Sequence, residues 1–425
     1  MNLRGTTPPT RQRAASSWVV CLAAALLTAA CGNEVSIDAP NGRAPSAPAF
    51  ADSAVDADLV ARGAYLATVG NCAGCHTAPG GAAMAGGLRI ETPYGAVYTG
   101  NLTPDLQTGL GGWTADDFHR AMHDGRAPDG RRYAPAFPYP SFTHVARADN
   151  DALFAYLQSL PPVQQANRPH ELRFPYGTQV ALAVWQWITF TPADAPTVAP
   201  SAGVARGAYL VRGLGHCGEC HAPRDHWSAA ASDLSGGEMP GARWYAPSLH
   251  PTLGSADALA QTVALLRDGR NSHGTVTGPM ATVVLKSTQH WRAADLEQAA
   301  RYLQSLPPAP PAAEAAPAAA TLLAAGARLY ADRCADCHGN DGAGVPDAYP
   351  ALAGNPSVTQ PSVRNLVQLL RHGGFAPTTA AQPRPFGMPP ADLSPDQTAA
   401  VLTHLRQAWG HRATAVSALD VLKAN

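Results

Sequence analysis

The chain is short of charge. Only 14% of its 425 residues are Asp, Glu, Lys or Arg, and the formal net charge is -1, so no acidic or basic bias marks a nucleic-acid partner. It is short of spare cysteine as well. Of eight cysteines, Cys21 and Cys31 fall within the first 31 residues and the other six form three close pairs, Cys72/Cys75, Cys217/Cys220 and Cys334/Cys337, which leaves none for a structural disulfide. No phosphate-cradling glycine loop follows a strand, and no serine or cysteine nucleophile arrangement stands out. Beyond the N-terminus there is no apolar run of membrane-spanning length. The best segment, VALAVWQWITF at 180–190, has the length of a core element and contains Gln186.

What the chain does have begins with length and irregular backbone. At 425 residues it is too long for one ordinary core and suggests about three units. Gly and Pro, at 39 each, call for long irregular loops. The N-terminus carries Arg4, Arg11 and Arg13 ahead of an apolar run from Trp18 to Ala30, the layout of an export signal. That run stops at Cys31-Gly32, which resembles the lipid-attachment site of bacterial lipoproteins, although Thr28 occupies the place where leucine is usual. Lipidation of Cys31, simple cleavage near Ala30 and an uncleaved anchor stand as the three outcomes. The expected mature protein is an exported body held at a membrane surface by at most one lipid, reversibly unless a partner adds contacts.

One unit is written three times. Each cysteine pair is followed by histidine, in CAGCH at 72–76, CGECH at 217–221 and CADCH at 334–338, at domain-sized intervals. Upstream, ARGAYLATVGN at 61–71 is echoed by ARGAYLVRGLGH at 205–216 and more loosely by AAGARLYADR at 324–333, each reading as a short helix that delivers the cysteines. Downstream, DNDALFAYLQSLPP at 149–162, AADLEQAARYLQSLPP at 293–308 and LSPDQTAAVLTHLRQAW at 393–409 read as closing helices. Asp149, Asp295 and Ser394 are the expected N-caps, with proline stopping the first two. PPAPPAAEAAPAAA at 307–320 is spacer. The apolar, aromatic stretch 170–196 is expected to pack between domains.

In C-x-x-C-H the two thiols reach the vinyl groups of one haem and form thioethers, while the adjacent histidine turns to the iron. Three copies imply three covalently bound c-type haems, with Cys72, Cys75, Cys217, Cys220, Cys334 and Cys337 as attachment points and His76, His221 and His338 as proximal ligands. Zinc or a redox dithiol is the competing reading of a lone C-x-x-C, but all three copies here carry the histidine. A distal methionine is the usual sixth ligand and raises the potential. Met280, in TGPMATVV, and Met388, in FGMPPADLS, stand in glycine- or proline-flanked segments before the closing helices. Met84 follows His76 too soon, Met122 in FHRAMHDGR reads as a buried helix residue, and Met239 lies early in its unit. The first unit therefore has no methionine where one belongs.

AGGLRIETPYGAVYTGNLTPDLQTGLGGWTADDFHRAMHDG at 85–125, RGAYLVRGLGHCGECHAPRD at 206–225, GPMATVVLKSTQHW at 278–291, YPALAGNPSV at 349–358 and MPPADLS at 388–394, with the three C-x-x-C-H sites, resemble the three-haem cytochrome c subunits of membrane-associated bacterial dehydrogenases. These include quinohaemoprotein alcohol dehydrogenases and flavin-dependent gluconate, sorbitol and fructose dehydrogenases. The resemblance implies a mainly α chain of three tandem cytochrome c domains with long irregular loops. Its division would be a leader at 1–31, a linker at 32–55, domains at 56–165, 201–309 and 321–412, a connector at 166–200, a spacer at 310–320 and a tail at 413–425. It implies no catalysis of its own, but electron transfer from a dehydrogenase catalytic subunit to ubiquinone or another periplasmic acceptor on the outer side of the cell membrane.

The departure is YAPAFPYPSFTHV at 133–145, where the alcohol type reads AMPYPS and this chain has Phe137. Cytochromes accompanying molybdenum hydroxylases also tend to have phenylalanine here and a histidine shortly after, which points to His144. Three readings stand for this iron: ligation by His144; a vacant or water-bound position; Met84, Met122 or another histidine. The catalytic partner is then a quinoprotein, a flavoprotein or a molybdenum hydroxylase. The rival class is a haem enzyme with a peroxidase-like or sulfur-oxidising first site, where His144 or His123 would serve as acid or base.

Overall fold

The computed structural model describes residues 56–424 except 232, 240, 252–256 and 311–313. The leader and Cys31 lie outside the described residues. Three helical units follow one another. The first runs through α1 (Ala57–Val69), α2 (Cys72–Cys75), α3 (Ala115–Asp124), α4 (Tyr139–Phe142) and α5 (Arg147–Gln158), with strands β1 (Arg89–Thr92) and β2 (Gly95–Tyr98). A connector adds β3 (Glu171–Leu172) and α6 (Gln179–Thr189). The second unit holds α7 (Gly203–Arg212), α8 (Gly218–His221), β4 (Gly237–Glu238), β5 (Tyr245–Ala246), α9 (Ala258–Asp268), β6 (Arg270–Asn271), β7 (Gly274–Thr275), α10 (Gly278–Lys286) and α11 (Ala293–Gln304). The third holds α12 (Ala320–Arg333), α13 (Ala335–His338), α14 (Arg364–His372), β8 (Gly374–Phe375), β9 (Gly387–Met388), α15 (Pro395–Gln407) and α16 (Ala418–Lys423). The strands form only small antiparallel hairpins, the first widened when β3 joins β2.

In every unit the helix before the cysteines crosses the closing helix at a glycine. A Cβ added at Gly63 would stand 1.9 Å from the Ala152 carbonyl oxygen, at Gly207 2.0 Å from that of Gln298, and at Gly326 2.1 Å from that of Ala400. No larger residue permits this approach of two backbones. Around the first two crossings lies one continuous apolar core, in which Leu66, Val69, Leu153 and Leu157 join Leu210, Val211, Leu214, Leu296 and Trp291. The third unit has its own, built from Tyr330, Val358, Val367, Leu402 and Leu405.

The ends of the closing helices differ from the sequence expectation. Ser394 does cap α15, in a capping box with Gln397. Asp149 and Asp295 do not cap: α5 and α11 begin after Ala146 and Arg292, which places both aspartates in the first turn, buried and turned to partners elsewhere in the chain. Both helices end just ahead of the prolines, at Ser159 and Ser305, two residues before Pro161 and Pro307, and there the serine hydroxyls donate to the Tyr156 and Tyr302 carbonyls, each at 2.7 Å.

The connector packs on residues of both of the first two units. Gln186 Oε1 accepts from Arg132 Nη1 at 2.5 Å and Trp185 Nε1 donates to the Trp227 carbonyl at 2.8 Å. The opposite face of α6 leaves Val180, Val184, Trp187 and Ile188 exposed. Among the described residues, no helix is long and apolar enough to cross a membrane.

Candidate haem-attachment sites

Each C-x-x-C-H segment forms a single tight turn at the end of its helix, and the same three backbone contacts hold it in each unit. The histidine Nδ1–H donates to a main-chain carbonyl: His76 to Gly100 at 2.7 Å, His221 to Pro247 at 2.7 Å and His338 to Pro350 at 2.9 Å. That bond fixes the tautomer and leaves the Nε2 lone pair free for a metal. The histidine carbonyl in turn accepts from a glycine N–H, from Gly86, Gly236 and Gly344, all at 2.8 Å. These glycines share positive φ values of 78°, 87° and 70°, a conformation that suits only glycine. Two residues past the carbonyl partner, the amides of Leu102, Leu249 and Leu352 donate to the carbonyls of Met84, Leu234 and Gly342.

This repeat places Met84. Its counterparts in the other units are leucine and glycine, and it is 6% exposed within the core. It packs beside the histidine turn. Met122 is buried on α3, and Met239 lies next to β4.

The thiols fit covalent attachment. Among the described residues none of the six cysteines is in a disulfide, and each is partly buried. Burial, aided by the neighbouring thiol of each pair, pushes Cys72 and Cys217 up to about 12. Burial pulls His76 and His221 below the usual imidazole range, and their carbonyl bonds restore part of the shift. Two thiols and one imidazole with a free Nε2, offered from one turn beside an apolar core, suit a covalently held haem. Among the described residues no group of three or more His, Cys, Asp or Glu is arranged to hold a metal ion by itself.

The other side of each site is reached from a glycine that ends a helix, Gly125 after α3, Gly269 after α9 and Gly373 after α14, at φ of 64°, 72° and 70°. In the first two units its carbonyl accepts from Tyr133 and Val276, at 2.9 and 2.8 Å. Four residues further on stand Phe137 and Met280. Phe137 therefore takes the place of Met280, with its ring 5.3 Å from Tyr133 and 5.6 Å from Phe142. Met280 lies in the first turn of α10 rather than in a loop, and Met388 is paired to Gly374 across the β8–β9 hairpin. His144 follows α4 and is exposed. Among the described residues the Phe137 ring packs on Tyr133, Tyr139 and Phe142 rather than on His144.

The paired helices, the histidine turns and the loops facing them define a c-type cytochrome. The cytochrome c family model matches residues 60–161 and 323–409, and the unit between carries the same turn geometry. The alcohol dehydrogenase (quinone) cytochrome c subunit of Gluconacetobacter polyoxogenes is 38% identical over 398 residues, covering 87% of this chain and 84% of that protein. The gluconate 2-dehydrogenase cytochrome c subunit of Pantoea cypripedii is 37% identical over 412 residues, 88% of this chain and 91% of that protein. The fructose dehydrogenase cytochrome subunit of Gluconobacter japonicus is 29% identical over 410 residues, 86% of this chain and 82% of that protein. The chain belongs to the family of dehydrogenase cytochrome c subunits, and it is an electron-transfer subunit rather than a catalytic one.

Sequence reasoning missed the carbonyl acceptors. The signal was present: TGNL, APSL and YPAL place Gly or Pro two residues before a leucine at 100–102, 247–249 and 350–352.

Proposed function

We propose that the chain carries three c-type haems and passes electrons from the catalytic subunit of a periplasmic dehydrogenase to ubiquinone or another periplasmic acceptor. Cys72/Cys75, Cys217/Cys220 and Cys334/Cys337 attach the cofactors, His76, His221 and His338 are the proximal ligands, and Met280 and Met388 are the distal ligands of the second and third irons. The observation that carries the reading is the threefold histidine-to-carbonyl bond, which aims one imidazole nitrogen at each attachment turn. When bound, each haem supplies one-electron chemistry. The chain's own part is to exclude water, hold the axial side chains and present docking surfaces. Membrane tethering through a lipid on Cys31 belongs to the same proposal.

For the first iron the proposed sixth ligand is not methionine, because Phe137 stands at the place of Met280. His144 is the histidine candidate; its exposure favours the second reading, an open position. Near-infrared spectroscopy of the oxidised protein separates these from methionine ligation: two methionine-ligated irons are expected, and three would overturn the proposal. An unchanged spectrum in His144→Ala, with carbon monoxide binding at one haem, selects the open site; a changed spectrum selects His144.

The electron-carrier reading is tested by adding the substrate of the co-purified catalytic subunit to the complex. Reduction of the haem bands is expected. Turnover by the catalytic subunit with no haem reduction would contradict it.

A further inference from the structure

The ARGAYL repeat sets Arg62 and Tyr65 of the first unit in the same places as Arg206 and Tyr209 of the second, and Asp149 and Asp295 are both third residues of their closing helices. Each arginine pairs with the aspartate of its own unit. Arg62 Nη2 lies 2.5 Å from Asp149 Oδ1, and Arg206 grips Asp295 through Nε at 2.8 Å and Nη2 at 2.9 Å. The tyrosines cross over. Tyr65 Oη donates to Asp295 Oδ2 and Tyr209 Oη donates to Asp149 Oδ2, both at 2.6 Å. Each hydroxyl also accepts from the N–H of the cap residue of the helix it reaches, Arg292 and Ala146 respectively, both at 3.1 Å.

In an ordinary capping box, the third residue of a helix accepts directly from the cap N–H. Here a hydroxyl from the other unit stands between them, passing the bond from cap amide to tyrosine to aspartate. The arrangement is twofold, the form of a self-complementary contact between two copies of one unit. The aspartates are 1% and 7% exposed, so loss of a partner leaves a buried charge under-satisfied. The third unit, aligned on its glycine crossing, has Ala325, Arg328 and Gln397 at these places. It caps α15 internally through Ser394 and Gln397, and meets the second unit by different contacts, with Asn365 bonded to both backbone groups of Tyr245 at 2.9 and 2.8 Å.

We propose that Tyr65 and Tyr209 are reciprocal trans-caps that lock the first two units into one rigid pair, each tyrosine completing a helix start in the other unit. Beside the lock the two units also meet at the second attachment turn, where the Ser141 hydroxyl donates to Glu219 Oε1, next to Cys220, at 3.0 Å. On the three-haem reading this sets the spacing of the first two cofactors, but the lock itself does not depend on that reading.

The test is hydrogen exchange on the whole haem-loaded protein, comparing wild type with Tyr65→Phe and Tyr209→Phe. Each substitution keeps the ring and removes only the hydroxyl, so the fold survives to be measured. Tyr65→Phe is expected to speed exchange at 292–296 by about tenfold, the factor for losing a hydrogen bond to a charged group, with 146–150 unchanged. Tyr209→Phe is expected to do the reverse, and 394–398 stays unchanged in both. Faster exchange confined to the substituted unit, or none at either helix start, would overturn the lock.

Discussion

Alanine at Gly326 tests the helix crossing on which each attachment turn is built. The new Cβ would sit 2.1 Å from the Ala400 carbonyl oxygen, and contacts below 3.0 Å are essentially never seen, so α12 and α15 must separate by about 1 Å. The obstacle is backbone, so no side chain can swing aside. Overpacking costs about 1–3 kcal/mol, and a backbone clash belongs at the upper end. Against that, alanine is favoured over glycine in a helix by about 1 kcal/mol, leaving a net loss of about 2 kcal/mol. The third unit has its own core. For a domain of its size the loss corresponds to a fall of roughly 8 °C or more in its melting transition, followed by circular dichroism and haem absorbance. Gly112→Ala, with nothing within 4 Å of the added Cβ, is the control and leaves the transition in place. A Gly326→Ala protein that melts with wild type would refute the reasoning.

Further outcomes follow from the same structure. Phe137→Met puts a thioether where Met280 stands in the second unit, and is expected to raise the count of methionine-ligated irons by one and the first potential with it; an unchanged near-infrared spectrum would contradict the equivalence of the two positions. Arg406, 1% exposed, donates to the carbonyls of Val358, Gln360 and Thr414, so Arg406→Leu strands the buried Val358 carbonyl and is expected to cost about 1–3 kcal/mol in the third unit by chemical denaturation. Burial pushes the Asp295 carboxyl up, but bonds from Arg206 and Tyr65 outweigh it and leave the net below the usual carboxylate range. A depressed pKa gives stability that is present above the unfolded value and is lost as pH falls through the folded one. Acid below about pH 4 is therefore expected to lower the protection at 292–296, taken as exchange relative to the intrinsic rate at each pH, and Asp295→Asn to remove that loss of protection.

Much of this was legible in the sequence because it is local. The three C-x-x-C-H turns, the delivering and closing helices and the cap at Ser394 are each written within about fifteen residues, where propensity and spacing operate. Asp149 and Asp295 mislead for the same reason. An aspartate near a helix start looks like a cap, and its actual partner, a tyrosine in another unit, leaves no local trace. The repeated ARGAYL did carry the information, since Arg and Tyr hold the same two places in the first two copies, where the third has Ala325 and Arg328. Phe137 was legible as an anomaly, but its equivalence to Met280 needed the helix-ending glycines and the bonds to Tyr133 and Val276. The exposed face of α6 was hidden because apolar residues on a short helix read the same whether buried or bare.

The central claim is that three attachment turns each hold a haem. The mass of the intact purified chain tests it most directly: three covalent haems per chain are predicted, and a mature protein carrying two or fewer would contradict the account.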